Sequence, residues 1–153
     1  MGIDAARVRP GSAWTAGEIE RFLGEAEIPA RIACIAGNGA PLVCSLWYQY
    51  ADGALWCATR RGADVVAMLA REPRCAFEIA GDVAPYRGVR GQGRATVARA
   101  DGPEVLGHLV DRYLRSRDSK FARWLLKRQS DEVAIRIDFE WLTSWDFTAR
   151  MTR

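Results

Sequence analysis

The sequence predicts a mainly β (α+β) chain: an antiparallel barrel of six or seven strands, closed or partly closed, with helices at its periphery. Two observations carry this. Residues 30–100 fall into short strand-like stretches, and the same alternation returns at 133–139, where Arg136 and Asp138 lie opposite the apolar side. Gly37-Asn38-Gly39 and Ala51-Asp52-Gly53 separate the first three stretches with residues that tolerate positive φ, so these strands form two successive hairpins. Successive hairpins give antiparallel neighbours, and a sheet of this size with few helices curls on itself.

Taken in order, Thr15-Ala-Gly-Glu18 is a capping box that opens a helix whose apolar stripe is Ile19, Phe22 and Leu23, placed against a barrel end. Strands are expected over 30–36, 42–50, 54–59, 74–79 and 89–100. A short helix over 63–71 interrupts them, with Val65, Val66, Met68 and Leu69 on its apolar side and Pro73 limiting its extent. Asp101-Gly-Pro-Glu104 is a second capping box before a longer helix carrying Val105, Leu106, Leu109, Val110 and Tyr113 on one face. Phe121, Trp124 and Leu125 suggest one more helix, and Trp141, Trp145 and Phe147 continue the last strand in extended form. No repeat or linker divides the 153 residues, which read as one domain over 1–153.

Composition excludes several classes of function. Hydrophobic residues at 49% and charged residues at 27% argue against long disorder. No run approaches the roughly 20 apolar residues of a membrane span, and the first ten residues lack a secretory signal, so a cytoplasmic location without a membrane partner is expected. Cys34, Cys44, Cys57 and Cys75 lie in strand-like surroundings without a Cys-x-x-Cys pair, which favours reduced core thiols over disulfides or zinc. His108 is the single histidine, which excludes a multi-histidine metal centre, and no Gly-x-Ser-x-Gly elbow accompanies it; no metal site is expected. A net charge of +3 is too mild to imply nucleic acid, and the basic residues from Arg112 to Arg128 read as a solvated helical face.

One segment points to chemistry. After Cys57-Ala-Thr59 two arginines, Arg60 and Arg61, stand where a strand hands over to a helix, beside unpaired backbone N–H groups. Such a turn can hold phosphate; a solvated turn is the alternative. Gly88-Val-Arg-Gly91-Gln-Gly93 lies within a strand and opens no helix, so a Rossmann loop is poorly supported. Its glycines indicate close approach of another backbone or of a flat ligand.

Five segments in order, Pro41-Leu-Val-Cys-Ser-Leu-Trp47-Tyr, Leu55-Trp-Cys-Ala-Thr59-Arg-Arg-Gly62, Leu69-Ala-Arg-Glu-Pro73-Arg, Pro85-Tyr-Arg-Gly-Val-Arg-Gly-Gln-Gly93-Arg-Ala and Ser144-Trp-Asp-Phe147, resemble the pyridoxamine 5′-phosphate oxidase-like flavin and deazaflavin oxidoreductases over about residues 28–147. The resemblance implies a split β-barrel homodimer with FMN, or alternatively F420, in grooves between protomers. It implies that Ser45 and Trp47 border the ring, that Thr59, Arg60 and Arg61 hold the phosphate end, and that Tyr86, Arg87, Gln92 and Trp145 approach from the other protomer. It assigns no catalytic side chain, although Tyr86 or Arg87 is placed to contact a small-molecule substrate.

Two departures matter. Val65 stands where many relatives have a phosphate-contacting lysine, and Ala63 where serine or threonine is common. The chain ends Asp-Phe-Thr-Ala-Arg-Met-Thr-Arg without the Arg-x-His element of authentic pyridoxamine-phosphate oxidases, so oxidation of vitamin B6 is not expected. The expected activity is a flavin-dependent oxidoreductase moving a hydride between FMN and a small organic substrate. An F420-dependent reductase, or a flavin- or haem-binding module without turnover, is the alternative.

Overall fold

The computed structural model describes residues 2–153. Seven strands, β1 (Ala30–Ile35), β2 (Pro41–Leu46), β3 (Tyr48–Ala51), β4 (Ala54–Arg60), β5 (Arg74–Ala80), β6 (Arg87–Ala98) and β7 (Glu132–Asp146), form one sheet in the order β2-β1-β5-β6-β7-β4-β3. Every neighbouring pair is antiparallel. The helices are α1 (Ala16–Glu25), α2 (Asp64–Arg71), α3 (Gly102–Leu114), α4 (Lys120–Lys127) and the short α5 (Thr148–Met151), the last unanticipated in the sequence.

The sheet curls into a half-barrel for a reason visible in its order. Strands β2 and β3 are its two edges, yet only Trp47 separates them in sequence. The single strand expected over 42–50 is therefore two, because the chain must turn at Trp47 from one edge to the other. Both expected hairpins form. At the β3–β4 turn Asp52 (φ 53°) and Gly53 (φ 71°) are both left-handed, as a tight two-residue hairpin loop requires.

The concave face is the main core. Ile32, Leu55, Cys57, Ile79, Val89, Ile135, Ile137 and Leu142 are fully buried there, and each large aliphatic side chain contributes about 1.5–3 kcal/mol by leaving water. Along β7 the inward positions change parity. Val133, Ile135, Ile137 and Phe139 point in, then Leu142 and Ser144 do. The cause is a bulge: Gln92 pairs with Trp141 but Gly93 pairs with Phe139, leaving Glu140 extra. The bulge places Trp141, Thr143 and Trp145 on the convex face. It also explains two glycines, since a Cβ at Gly91 would lie 2.2 Å from the Trp141 carbonyl oxygen, and one at Gly93 would lie 2.4 Å from that of Asp138. What approaches them is the protein's own backbone.

Helix α1 starts at the expected capping box: the Glu18 N–H donates to Thr15 Oγ1 (3.3 Å) and the Thr15 N–H donates to Glu18 Oε2 (2.8 Å). Its C-terminal carbonyls are satisfied from elsewhere. Tyr48 Oη donates to Leu23 O (2.8 Å), while the Arg112 guanidinium donates to Gly24 O (2.8 Å), Leu23 O (3.0 Å) and Ala26 O. Arg112 is thus half-buried and belongs to no solvated face, which corrects the sequence expectation at that residue. The second expected capping box does not form either. A turn of 3-10 helix over Arg99–Asp101 runs directly into α3, so Asp101 has helical backbone angles and its carboxylate accepts no capping hydrogen bond.

Helix α3 covers the convex face of β4 and β7. Val105 and Leu109 pack with Ala134, Trp56 and Ala58, and Leu106 and Val110 meet Ala122, Leu125 and Leu126 of α4. No helix of the described residues is long and apolar enough to cross a membrane.

All four cysteines are free. Burial pushes the thiols of Cys57 and Cys75 up to about 12, and Tyr50 is likewise raised to about 12 by burial, with Glu20 adding to it. Native protein therefore keeps protons that the unfolded chain loses near pH 9 from the thiols and near pH 10 from the phenol. Stability is intact below that pH and falls as the pH rises towards 12, by about 1.4 kcal/mol per buried thiol at pH 10. Urea midpoints at pH 7.5, 9 and 10 should show this loss, and Cys57→Ala should lessen it; a flat profile would contradict it.

Candidate functional site

Strand β4 ends at Arg60, and Arg61 follows in the turn before α2. Thr59 is half-buried, while Arg60 and Arg61 are exposed. Arg60 lies opposite Glu132, the first residue of β7. The Arg61 N–H donates to Asp131 O (2.7 Å), and its guanidinium reaches Ser130 O (3.3 Å). Among the described residues, no carboxylate forms an ion pair with Arg60 or Arg61 within 4.0 Å. Glu132 is 6% exposed, and burial pushes its carboxyl up, against the pull of Arg128 and Arg60. The end of the sheet thus sets two cations, Arg60 and Arg128, beside one buried acid, with Arg61 next to them in the chain turn.

The start of α2 beside them has Ala63 as its N-cap and receives no side-chain cap. Asp64 is exposed in its first turn, and Val65 is 7% exposed and packed in the main core. Val65 is therefore a packing residue, and the cations beside the start of α2 come from the end of β4 and the turn after it.

Trp47, at the crossing between the two sheet edges, is half-buried. Its ring stacks on Tyr113 of α3 (centroids 4.9 Å apart, planes 6° apart) and meets the edge of Phe121 of α4 (6.3 Å, 82°). Ser45, one turn of the pleat earlier, is exposed on the convex face opposite Arg31.

The remaining expected residues lie elsewhere. Gln92 points outward from β6 and accepts from Trp141 Nε1 (2.9 Å). Trp145 pairs with Gly88, and the Arg90 guanidinium lies over its ring at 5.3 Å. Arg87 pairs with Asp146, and Tyr86 is 44% exposed in the loop before β6. Thirteen positions of β7 separate Glu132, the partner of Arg60, from Trp145, about 40 Å of extended chain. One chain therefore does not bring Tyr86, Arg87 and Trp145 to the arginine pair.

Two depressions accompany these residues. A shallow one of about 400 Å³ on the convex face is lined by Arg31, Val43, Ala76, Arg90, Gln92 and Trp141. Val43 there is 64% exposed, and no helix covers this half of the face. A second, of about 680 Å³, lies between the end of α1 and the loop before β6, with Arg87 among Glu25, Glu27, Asp82, Phe22 and Val83.

Sequence reading missed the exposed side of α4. Phe121 and Trp124 are 50% and 51% exposed, whereas Ala122, Leu125 and Leu126 face the body. The inward stripe begins at a small alanine that lets α4 approach α3, which leaves the two large aromatics outside. A signal was present: no acidic residue occurs from Ser119 to Ser130, while Lys120, Arg123, Lys127 and Arg128 all do.

No protein-family model matches the sequence, and no curated protein does. Solved structures do match. A conserved hypothetical protein, Rv2991 from Mycobacterium tuberculosis, is 25% identical with a TM-score of 0.76, covering 90% of this chain and 88% of that one. A protein described as F420 reductase is 17% identical with a TM-score of 0.68, covering 80% of this chain and 94% of that one. A Listeria innocua protein provisionally designated a pyridoxamine 5′-phosphate oxidase is 13% identical with a TM-score of 0.64, covering 86% of this chain and 97% of that one. The curled seven-stranded sheet, its strand order and these matches together make the chain a split-barrel protein of the pyridoxamine 5′-phosphate oxidase-like fold.

Proposed function

We propose that this chain is a flavin-dependent oxidoreductase that holds FMN, in preference to F420, and acts on a small organic substrate. The observation that carries the reading is the pair Arg60 and Arg61, exposed and without a carboxylate partner at the corner where β4 meets an uncapped helix. Two guanidinium groups with the Thr59 hydroxyl suit a phosphate monoester. A protein described as F420 reductase shares the fold, which supports a flavin-type ligand.

A bound flavin supplies a ring that exchanges hydride with the substrate; the protein supplies position and electrostatics. Arg60 and Arg61 anchor the phosphate, and the backbone at Ser45 and Trp47 borders the ring. Tyr86, Arg87, Gln92 and Trp145 complete the groove from a second copy, because within one chain they stand too far from the arginines. The uncovered convex face with exposed Val43 is the surface on which that copy docks. The reading places the protein in the cytoplasm, where its four free thiols stay reduced. His108 does not favour haem: it is exposed on α3 and its Nδ1 lies 3.3 Å from Gln49 Nε2.

Absorbance of the purified protein and titration with FMN, F420 and haem test the proposal. FMN is expected to bind tighter than about 100 µM, a ΔG° of about −5.5 kcal/mol; if none of the three reaches that affinity the proposal fails. Arg60→Ala with Arg61→Ala should weaken FMN binding about tenfold to a hundredfold and lower the apo melting temperature only slightly, since both side chains are exposed and Arg128 still faces the buried Glu132. Unchanged affinity would remove them from the phosphate site.

A further inference from the structure

We infer that the outer face of α4 is a binding platform for a planar aromatic anion, the substrate class of the oxidoreductase proposed above, on which reading it rests. Phe121 and Trp124 stand one helical turn apart, half-exposed and nearly parallel, with centroids 5.9 Å apart and planes 16° apart. The two rings stack on one another, so the half of each that stays exposed forms one apolar surface that water covers poorly.

Both ends of the platform are defined. At one end the Phe121 edge meets Trp47, the residue at the crossing of the sheet edges that the proposed function places beside the flavin ring. At the other end the Arg128 guanidinium lies over the Trp124 ring at 4.6 Å. Arg128 and Arg60 both act on the buried Glu132, and Arg61 reaches Ser130 in the turn between Arg128 and β7. The aromatic surface therefore runs from the ring end of the proposed cofactor site to its cationic corner.

Charge selects the ligand. Lys120, Arg123, Lys127 and Arg128 are the only charged residues from Ser119 to Ser130, and none forms an ion pair within 4.0 Å among the described residues. Stacking demands a planar ring, and the cations demand a carboxylate, sulfonate or phosphate on it. A neutral ring gains only the stacking; a non-planar anion gains only the charge.

Binding of 2-naphthoate to the full chain, followed by isothermal titration, tests this against two controls, neutral 2-naphthamide and non-planar cyclohexanecarboxylate. We expect 2-naphthoate to bind at least tenfold tighter than either. Trp124→Ala should weaken it tenfold or more, Arg128→Ala about fivefold, and Trp124→Phe, which keeps a ring, less than threefold. Equal binding of the amide, or wild-type affinity in Trp124→Ala, overturns the inference. So does loss of phosphatidylglycerol-vesicle binding in Trp124→Ala without any naphthoate binding, which would assign the face to lipid. Flavin titration of the same samples keeps the two readings apart. Naphthoate selectivity without flavin binding removes the oxidoreductase and keeps the platform; flavin binding without naphthoate selectivity does the reverse.

Discussion

Arg112→Ala should lower the unfolding free energy by about 3 kcal/mol, a large effect for a charged residue because this side chain is half-buried. The guanidinium ends α1 by donating to the carbonyls of Leu23, Gly24 and Ala26, which no turn of helix follows to satisfy. It also lies over the rings of Tyr48 and Tyr113, at 5.0 and 5.7 Å. Truncation leaves the Gly24 carbonyl without its side-chain donor and the Leu23 and Ala26 carbonyls with the Tyr48 hydroxyl alone, and an acceptor left unmet costs about 1–3 kcal/mol. A cation at a helix C-terminus adds a favourable dipole term that is lost as well. Arg112→Lys should recover less than half of the loss, because one ammonium cannot reach three carbonyls spread around a helix end. Urea denaturation of the two variants checks this; a lysine variant as stable as wild type would show that charge alone matters there.

The second large effect lies at Gly102, the first residue of α3. A Cβ there would come within 2.0 Å of Glu132 O and 2.7 Å of Val133 N, backbone atoms that cannot rotate aside. Its φ of −52° is ordinary, so the requirement is for space alone. Gly102→Ala must push α3 off the start of β7, opening the contacts of Val105 and Leu109 with Ala134. Overpacking of this severity costs about 3 kcal/mol, a fall of roughly 10 °C in melting temperature for a domain of this size. Because Glu132 also faces Arg60, the surviving native protein should bind flavin more weakly. Calorimetry with a flavin titration reads both effects, and a fall below 3 °C would mean that the helix start yields without strain.

The fold was legible where one local cause decides the outcome. The Thr15 box, the Asp52-Gly53 turn and the alternation from Val133 to Phe139 depend on neighbours in sequence, and each forms as expected. Failures came where a distant element decides. Asp101 could not cap α3 because the approach from β6 makes a helical turn first. Trp47 split a strand because the sheet had to carry its chain from one edge to the other. Arg112 seemed a solvent-facing charge because the carbonyls it meets lie almost ninety positions away in the chain. The candidate site divides in the same way. Arg60 and Arg61 are local to one turn and were found by it, whereas Phe121, Trp124 and Arg128 gain meaning only once α4 has packed through its small residues. The odd-to-even change along β7 has no signature in β7 alone, since the bulge exists only in its pairing with β6.

Strand β7 sits between β6 and β4, and of the seven strands of this sheet it leaves the ribosome after the other six. Before it emerges, the nascent chain can assemble only two separate ribbons, β2-β1-β5-β6 and β3-β4, each with an open edge awaiting the same missing partner. Those edges are the places where a second nascent chain can pair instead. Folding of the whole sheet is thus a late, long-range event, the kind that proceeds slowly. A chain that stalls or is cut before Glu132 is left with two sticky ribbons in place of one half-barrel.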